Sequence, residues 1–153
     1  MELTSVTEAE YPALIALWEA SVRATHDFLS EADRLFYRER MPGYLRAVRL
    51  VAARDDGGRI VAFLGTAGAT GSIEMLFVDP EWRGRGIGAR LVRYAVDELG
   101  CSRVEVNEQN TQAEGFYRRM GFIRRGRSDF DGEGKPYPIL QLELADDEEG
   151  FRK

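Results

Sequence analysis

The chain has 153 residues, 44% hydrophobic and 31% charged, with a net charge of −5. That suits one ordinary globular domain around one core, and the acidic balance argues against a general nucleic-acid binder, which needs a basic footprint. No apolar run approaches the roughly 20 residues of a membrane span. The acidic start Met1-Glu2-Leu3-Thr4 leads into no signal core, and the single cysteine, Cys101, can form no internal disulfide, so a cytoplasmic location is expected.

In chain order, Leu3 to Val6 reads as a short strand. Thr7-Glu8-Ala9-Glu10 is a capping-box pattern that starts a helix with Leu14, Leu17, Trp18 and Val22 on one face. Pro12 is tolerated only at the beginning of that helix. A second helix is expected from Ser30 to just before Pro42. A meander follows, with strands at Leu50 to Ala53, Ile60 to Ala67 and Ile73 to Val78, joined by turns at Asp55 to Gly58 and Ala69 to Ser72. Ile87, Leu91, Ala95 and Leu99 then mark a helix that Gly100 stops. Arg103 to Val106 is a strand. Thr111-Gln112-Ala113-Glu114 is a second capping-box pattern, its helix stopped by Gly121. Strands near Ile123 to Phe130 and Ile139 to Leu144 close a domain spanning residues 1–145. Like charges cluster at residues 146–149, which predicts a mobile acidic tail over 146–153. The order β-α-α-β-β-β-α-β-α-β-β predicts an α+β, or mixed α/β, architecture.

The segment Arg83-Gly84-Arg85-Gly86-Ile87-Gly88-Ala89-Arg90 lies between a strand and a helix. Three alternating glycines let a ligand approach backbone N–H groups. The following helix start adds free donors and partial positive charge. Arg83, Arg85, Arg90 and Arg93 add cations to an otherwise acidic chain. The combination points to a pyrophosphate site. The P-loop pattern is absent. The dinucleotide fingerprint matches formally at Gly84, Gly86 and Ala89, with Glu105 and Glu108 near the position of a ribose-binding acid. In that fold the strand runs straight into the first glycine, whereas here Asp79 to Arg83 intervene. The loop alone leaves NAD formally open.

Arg83-Gly84-Arg85-Gly86-Ile87-Gly88 resembles the acetyl-coenzyme A signature Q/R-x-x-G-x-G/A of the GNAT superfamily of N-acetyltransferases. Val78-Asp79-Pro80 precedes it. Asn110 to Phe122 resembles the family's downstream N-x-x-A-x-x-F-Y-x-x-x-G-F. Ala24 to Leu29, Val106 to Asn110 and Gly134 to Pro138 are similar to a YjaB-like subfamily of small bacterial acetyltransferases. The resemblance covers nearly the whole chain. It implies a GNAT-like fold: a mostly antiparallel twisted sheet of six to seven strands flanked by about four helices. It also implies acetyl-CoA as donor and a small-molecule or peptide amine as acceptor, with a homodimer among the possible assemblies. The alternative is a non-catalytic acyl-CoA-binding or sensing domain.

The resemblance assigns roles by position. Backbone groups near Leu76, Phe77 and Val78 would pair with the pantetheine arm, on a strand that splays from the one at Arg103. Arg83, Gly84, Arg85, Gly86, Ile87, Gly88 and Ala89 would hold the pyrophosphate, and Asn110 would contact the arm. Tyr117 would be the general acid for the departing thiolate, since a tyrosine of ordinary pKa about 10 is protonated at neutral pH. Glu74 and His26, the only histidine, are the candidate bases, with Glu105 a weaker third. Phe28, Tyr37, Tyr44 and Tyr137 could all line the acceptor pocket; aromatics are also ordinary core residues, so only Phe28 and Tyr137 are assigned to it, with His26. Cys101 is not expected to be a nucleophile. No His/Cys cluster has metal-ligand spacing, so no metal is expected.

Overall fold

The computed structural model describes residues 1–145; the expected acidic tail at 146–153 lies outside the described residues. The elements are β1 (Glu2–Thr4), α1 (Tyr11–Thr25), α2 (Glu31–Arg46), β2 (Arg49–Arg54), β3 (Ile60–Ala67), β4 (Ser72–Val78), α3 (Ile87–Leu99), β5 (Arg103–Asn107), α4 (Thr111–Arg119), β6 (Phe122–Ser128) and β7 (Ile139–Leu144). The strands form one seven-stranded sheet in the order β1-β2-β3-β4-β5-β7-β6. Every neighbouring pair is antiparallel except β4 and β5. The architecture is the mixed α/β one expected from the element order.

Helices cover both faces. On one, Leu14, Leu17, Trp18 and Val22 of α1 and Met41 and Leu45 of α2 gather around Phe63. On the other, Leu91, Val92 and Ala95 of α3 pack with Val61, Leu64, Val104 and Phe122. Phe63 is fully buried, and its truncation to alanine would cost about 3–5 kcal/mol.

Two local readings of the sequence need correction. Pro42 does not end α2; it lies inside the helix, which runs four residues further to Arg46. A proline removes one backbone donor, but Met41 and Leu45 on either side are both buried against α1, and that packing carries the helix through. The cap of α4 is Asn110 rather than Thr111: its side-chain oxygen accepts the N–H of Ala113 at 3.1 Å. The Thr7–Glu10 box does form. Glu10 accepts the Thr7 N–H at 3.0 Å, but the pair brackets a 3-10 turn that leads into α1, with Pro12 in the helix's first turn.

The register at β4 positions the site. Gly65 pairs with Met75 and Thr66 with Ile73, so Glu74 is the extra, unpaired residue of a β-bulge. The bulge resets the alternation of the strand. Ile73 and Leu76 join the α3/α4 core, whereas Met75 and Phe77 join the α1/α2 core. On its other edge β4 pairs with β5 only at Ser72↔Arg103 and Ile73↔Val104. Beyond those pairs the two strands separate.

Candidate active site

The separation of β4 and β5 opens a cleft of about 800 Å³. Leu76 and Val78 line it from β4, Val104 and Val106 from β5, Gly88 from α3, and Phe116 and Tyr117 from α4. Ser21, Thr25 and His26 line it too, and these belong to the end of α1 on the opposite face. The cleft therefore passes through the sheet at the gap. Leu76, Phe77 and Val78 pair with β3 along one edge and have no strand partner along the other among the described residues. That free edge suits a ligand laid beside it in extended form.

At one end of the cleft the backbone forms a cradle. Gly84 and Gly86 have φ of +77° and +79°, a conformation that side-chain-bearing residues adopt only at a cost. Gly86 is the N-cap of α3, and the first intrahelical bond accepted there is from Arg90, at 3.0 Å. The amides of Ile87, Gly88 and Ala89, all lining the cleft, are thus free of intrahelical partners. Together with the helix dipole they fit a pyrophosphate. Arg83 lines the cleft and is exposed. Arg85 does not line it: its guanidinium lies over the Trp82 ring at 4.4 Å and donates to the Glu81 carbonyl at 3.4 Å. Arg90 donates to the carbonyl of Met1 at 2.7 Å. The positive charge read from the sequence is therefore only partly directed at the cradle.

Tyr117 is buried, wedged edge-on between Phe116 and Phe122 with ring centroids at 5.0 and 5.6 Å. Burial pushes its hydroxyl above the ordinary tyrosine value, because the charged form is desolvated. Asn110 lines the cleft, but its oxygen is engaged in capping α4, leaving its amide as the available group.

A second cavity of about 390 Å³ lies on the α1/α2 face. Its wall shares His26, Glu74, Met75, Phe77 and Asn107 with the cleft, so those residues form the junction. Both candidate bases sit there. The Thr25 hydroxyl lies 2.8 Å from the carbonyl of Ser21 and 2.6 Å from Nδ1 of His26. A hydroxyl has one proton; donated to the carbonyl, it leaves the oxygen to accept from Nδ1–H. The tautomer that follows carries its lone pair on Nε2. Burial lowers the pKa of His26 below the ordinary value of 6.5, against a smaller opposing pull from the Asp27 carboxylate. Glu74 is exposed on its bulge and accepts a hydrogen bond from the Ser72 hydroxyl at 2.5 Å. Glu105 is exposed and lines the cleft only. Cys101 is buried, and burial raises its thiol pKa, which is not the environment of a nucleophile.

Phe28 and Tyr137 both line the second cavity, and Phe28 stands between His26 and Tyr137 with ring centroids at 5.1 and 6.1 Å. Tyr37 and Tyr44, which the sequence offered as possible pocket residues without weight, line it as well. So do Trp18, Val22 and Met41. Their spacing held a signal: Trp18, Val22 and His26 recur every fourth residue, and Tyr37, Met41 and Tyr44 follow the i, i+4, i+7 rule of one helix face.

Comparisons with known proteins agree with this geometry. Residues 46–124 match the model of an acetyltransferase (GNAT) domain. The chain is 46% identical over 129 residues to the peptidyl-lysine N-acetyltransferase YjaB of Salmonella typhimurium, covering 84% of this chain and 88% of that protein. It is 41% identical to the YjaB of Escherichia coli K12, covering 84% and 86%. The solution structure of apo-form Escherichia coli YjaB superposes with a TM-score of 0.86 at 38% identity, over 94% of this chain and 97% of that one. The PaiA N-acetyltransferase of Thermoplasma acidophilum, solved in complex with coenzyme A, shares the fold with a TM-score of 0.73 at 19% identity, over 94% and 98%. The chain belongs to the GNAT family of acetyltransferases.

Proposed function

We propose that the chain transfers an acetyl group from acetyl-CoA directly to a primary amine, with the lysine side chain of a peptide as one acceptor. The observation that carries this reading is the junction of the two cavities. The cleft that ends in an anion cradle meets the second cavity at the residues that can accept a proton, His26 and Glu74. The peptidyl-lysine N-acetyltransferase activity of the YjaB relatives supports a lysine acceptor.

The cradle amides of Ile87, Gly88 and Ala89, with Arg83, hold the pyrophosphate, and the free edge of Leu76 to Val78 holds the pantetheine arm. The amine arrives as an ammonium and must lose a proton before it attacks. The Glu74 carboxylate attracts the cation, and Nε2 of His26 takes the proton. The new C–N bond forms as the C–S bond breaks; the Tyr117 hydroxyl donates its proton to the departing sulfur, and the proton that the new amide nitrogen sheds returns to the tyrosine oxygen, leaving a neutral amide, CoA thiol and a neutral Tyr117. A thiol in water has a pKa near 8.5, so a buried tyrosine is a weak acid toward it. Inside the cleft the thiolate is desolvated too, which raises its basicity by the same argument.

The test is release of CoA, followed with a thiol reagent, over a panel of amines and lysine peptides. Acceptor-dependent release supports the transferase. Tight acetyl-CoA binding without turnover on any acceptor would favour a sensing domain instead.

A further inference from the structure

We propose that the second cavity is the chamber for the body of the acceptor, and that it selects primary monoamines carried on an aliphatic or aromatic body. Small amines of that class would then be acetylated beside lysine side chains. This rests on the transferase reading and adds the acceptor's chemistry to it.

Size is the first observation. At about 390 Å³ the chamber lies within the range of about 300–1,000 Å³ typical of small-molecule sites. Its character is the second. Trp18, Val22, Leu29, Met41, Met75 and Ile139 contribute apolar or largely apolar surface, and no lysine or arginine lines it. An acceptor carrying a carboxylate or phosphate on its body would find no counter-charge.

The third observation is where the polar groups point their bonds. Three tyrosines line the chamber, and each hydroxyl donates to a carboxylate: Tyr37 to Asp131, Tyr44 to Glu133 and Tyr137 to Asp33. Asp131, the carboxylate on the wall beyond the junction, also accepts the N–H groups of Glu133 and Lys135 at 3.0 and 2.9 Å. These bonds stitch the β6–β7 loop to α2 and use the one proton of each tyrosine hydroxyl. The tyrosines therefore offer a ligand their rings. What remains for polar recognition is Glu74, His26 and the Asn107 amide, all at the junction, and the neutral indole N–H of Trp18. The acceptor's single amine belongs at the junction, and a second ammonium on its far end would lose its hydration to meet only Asp131, three of whose acceptor sites are already taken by Tyr37, Glu133 and Lys135.

The experiment uses the full chain at saturating acetyl-CoA, with n-butylamine, n-hexylamine, 1,4-diaminobutane and a lysine peptide as acceptors. Two extra methylenes buried in the chamber should raise kcat/KM about tenfold from butylamine to hexylamine. Diaminobutane, with the same four-carbon chain as butylamine and a second ammonium, should be the poorer acceptor. In Ala47→Phe, at an exposed position lining the chamber on the C-terminal side of α2, the hexylamine-to-butylamine ratio should fall at least about threefold. A flat alkyl series beside an active peptide, a preference for the diamine, or an unchanged ratio in Ala47→Phe would overturn the inference. Silence with every amine and the peptide would overturn the transferase reading, and the inference with it.

Discussion

Nδ1 of His26 lies 2.6 Å from the hydroxyl of Thr25, and the hydroxyl's own proton is directed at the Ser21 carbonyl. Two neighbouring residues thus fix which nitrogen of the ring carries the lone pair. In the proposed reaction Thr25 is a positioning residue, and its removal should act through His26. We expect Thr25→Val to lower kcat by about tenfold, and Thr25→Ser, which restores the hydroxyl, to recover most of it. His26→Gln should cost about a hundredfold or more, the usual scale of a general base. Equal losses in Thr25→Val and Thr25→Ser would show that the hydroxyl is not what matters.

The pH dependence carries a sign. Burial holds the pKa of His26 below 6.5, so the ring is neutral and competent at pH 7. It loses its lone pair only as pH falls through that lowered value. The acidic limb of kcat/KM should therefore have its midpoint below 6.5, and it should vanish in His26→Gln while persisting in Glu74→Gln. A limb that disappears with Glu74 instead would move the base to the bulge.

Tyr117→Phe removes one hydroxyl and keeps the ring between Phe116 and Phe122. We expect kcat to fall about a hundredfold while the dissociation constant for acetyl-CoA, measured by calorimetry, changes less than about twofold. Because burial pushes the hydroxyl above its ordinary value, no basic limb from its ionisation should appear below pH 10. An unchanged kcat would remove its role as donor.

Gly86 and Arg85 separate backbone from side chain at the cradle. Gly86→Ala forces a side chain into φ of +79° at a cost of about 1–2 kcal/mol, and it should raise KM for acetyl-CoA. Arg85→Ala should leave KM nearly unchanged, since that guanidinium is stacked on Trp82; Arg83→Ala should raise it. If Arg85→Ala proves as damaging as Arg83→Ala, the stacked position is not the one that binds.

These contrasts mark where the sequence was legible. The glycine spacing and the Asn110 to Phe122 segment identified the cleft, because both are local patterns with a local mechanism. β3 and β7 were read to the residue from clear runs of strand formers between turns. Glu74 was named from the sequence as a candidate base, but the bulge that carries it could not be read the same way. The bulge depends on Gly65 and Thr66 across the ladder, and no property of β4 alone announces it. The separation of β4 from β5 is likewise a relation between segments about thirty residues apart in sequence. Pro42 misled because its local penalty was outweighed by the burial of Met41 and Leu45, which only the folded packing reveals. Tyr37 and Tyr44 were passed over for a similar reason: their partners Asp131 and Glu133 arrive from the far end of the chain.

Acid stability should follow one clamp at the other edge of the sheet. Arg54 donates to both carboxylate oxygens of Glu10, at 2.8 and 3.0 Å, and to the Thr4 hydroxyl at 2.7 Å. It also reaches the carbonyls of Ser5 and Gly58, each at 3.3 Å. One guanidinium thereby ties β1, the turn before α1 and the β2–β3 hairpin together. Its bonds are the main reason that the Glu10 carboxyl falls from 4.5 to about 2. A depressed folded value stabilises the fold above the unfolded pKa, and that contribution is lost as pH falls from about 4.5 towards 2. Glu10→Gln should therefore lower Tm at pH 7 by about 2–4 °C, the scale of a modest, partly screened ion pair in a chain of this size. The difference between variant and parent should shrink on acidification and close near pH 2. Thermal melts at pH 7, 4 and 2.5 test this, and a Tm gap that stays constant across the three would show that the carboxylate's charge contributes nothing.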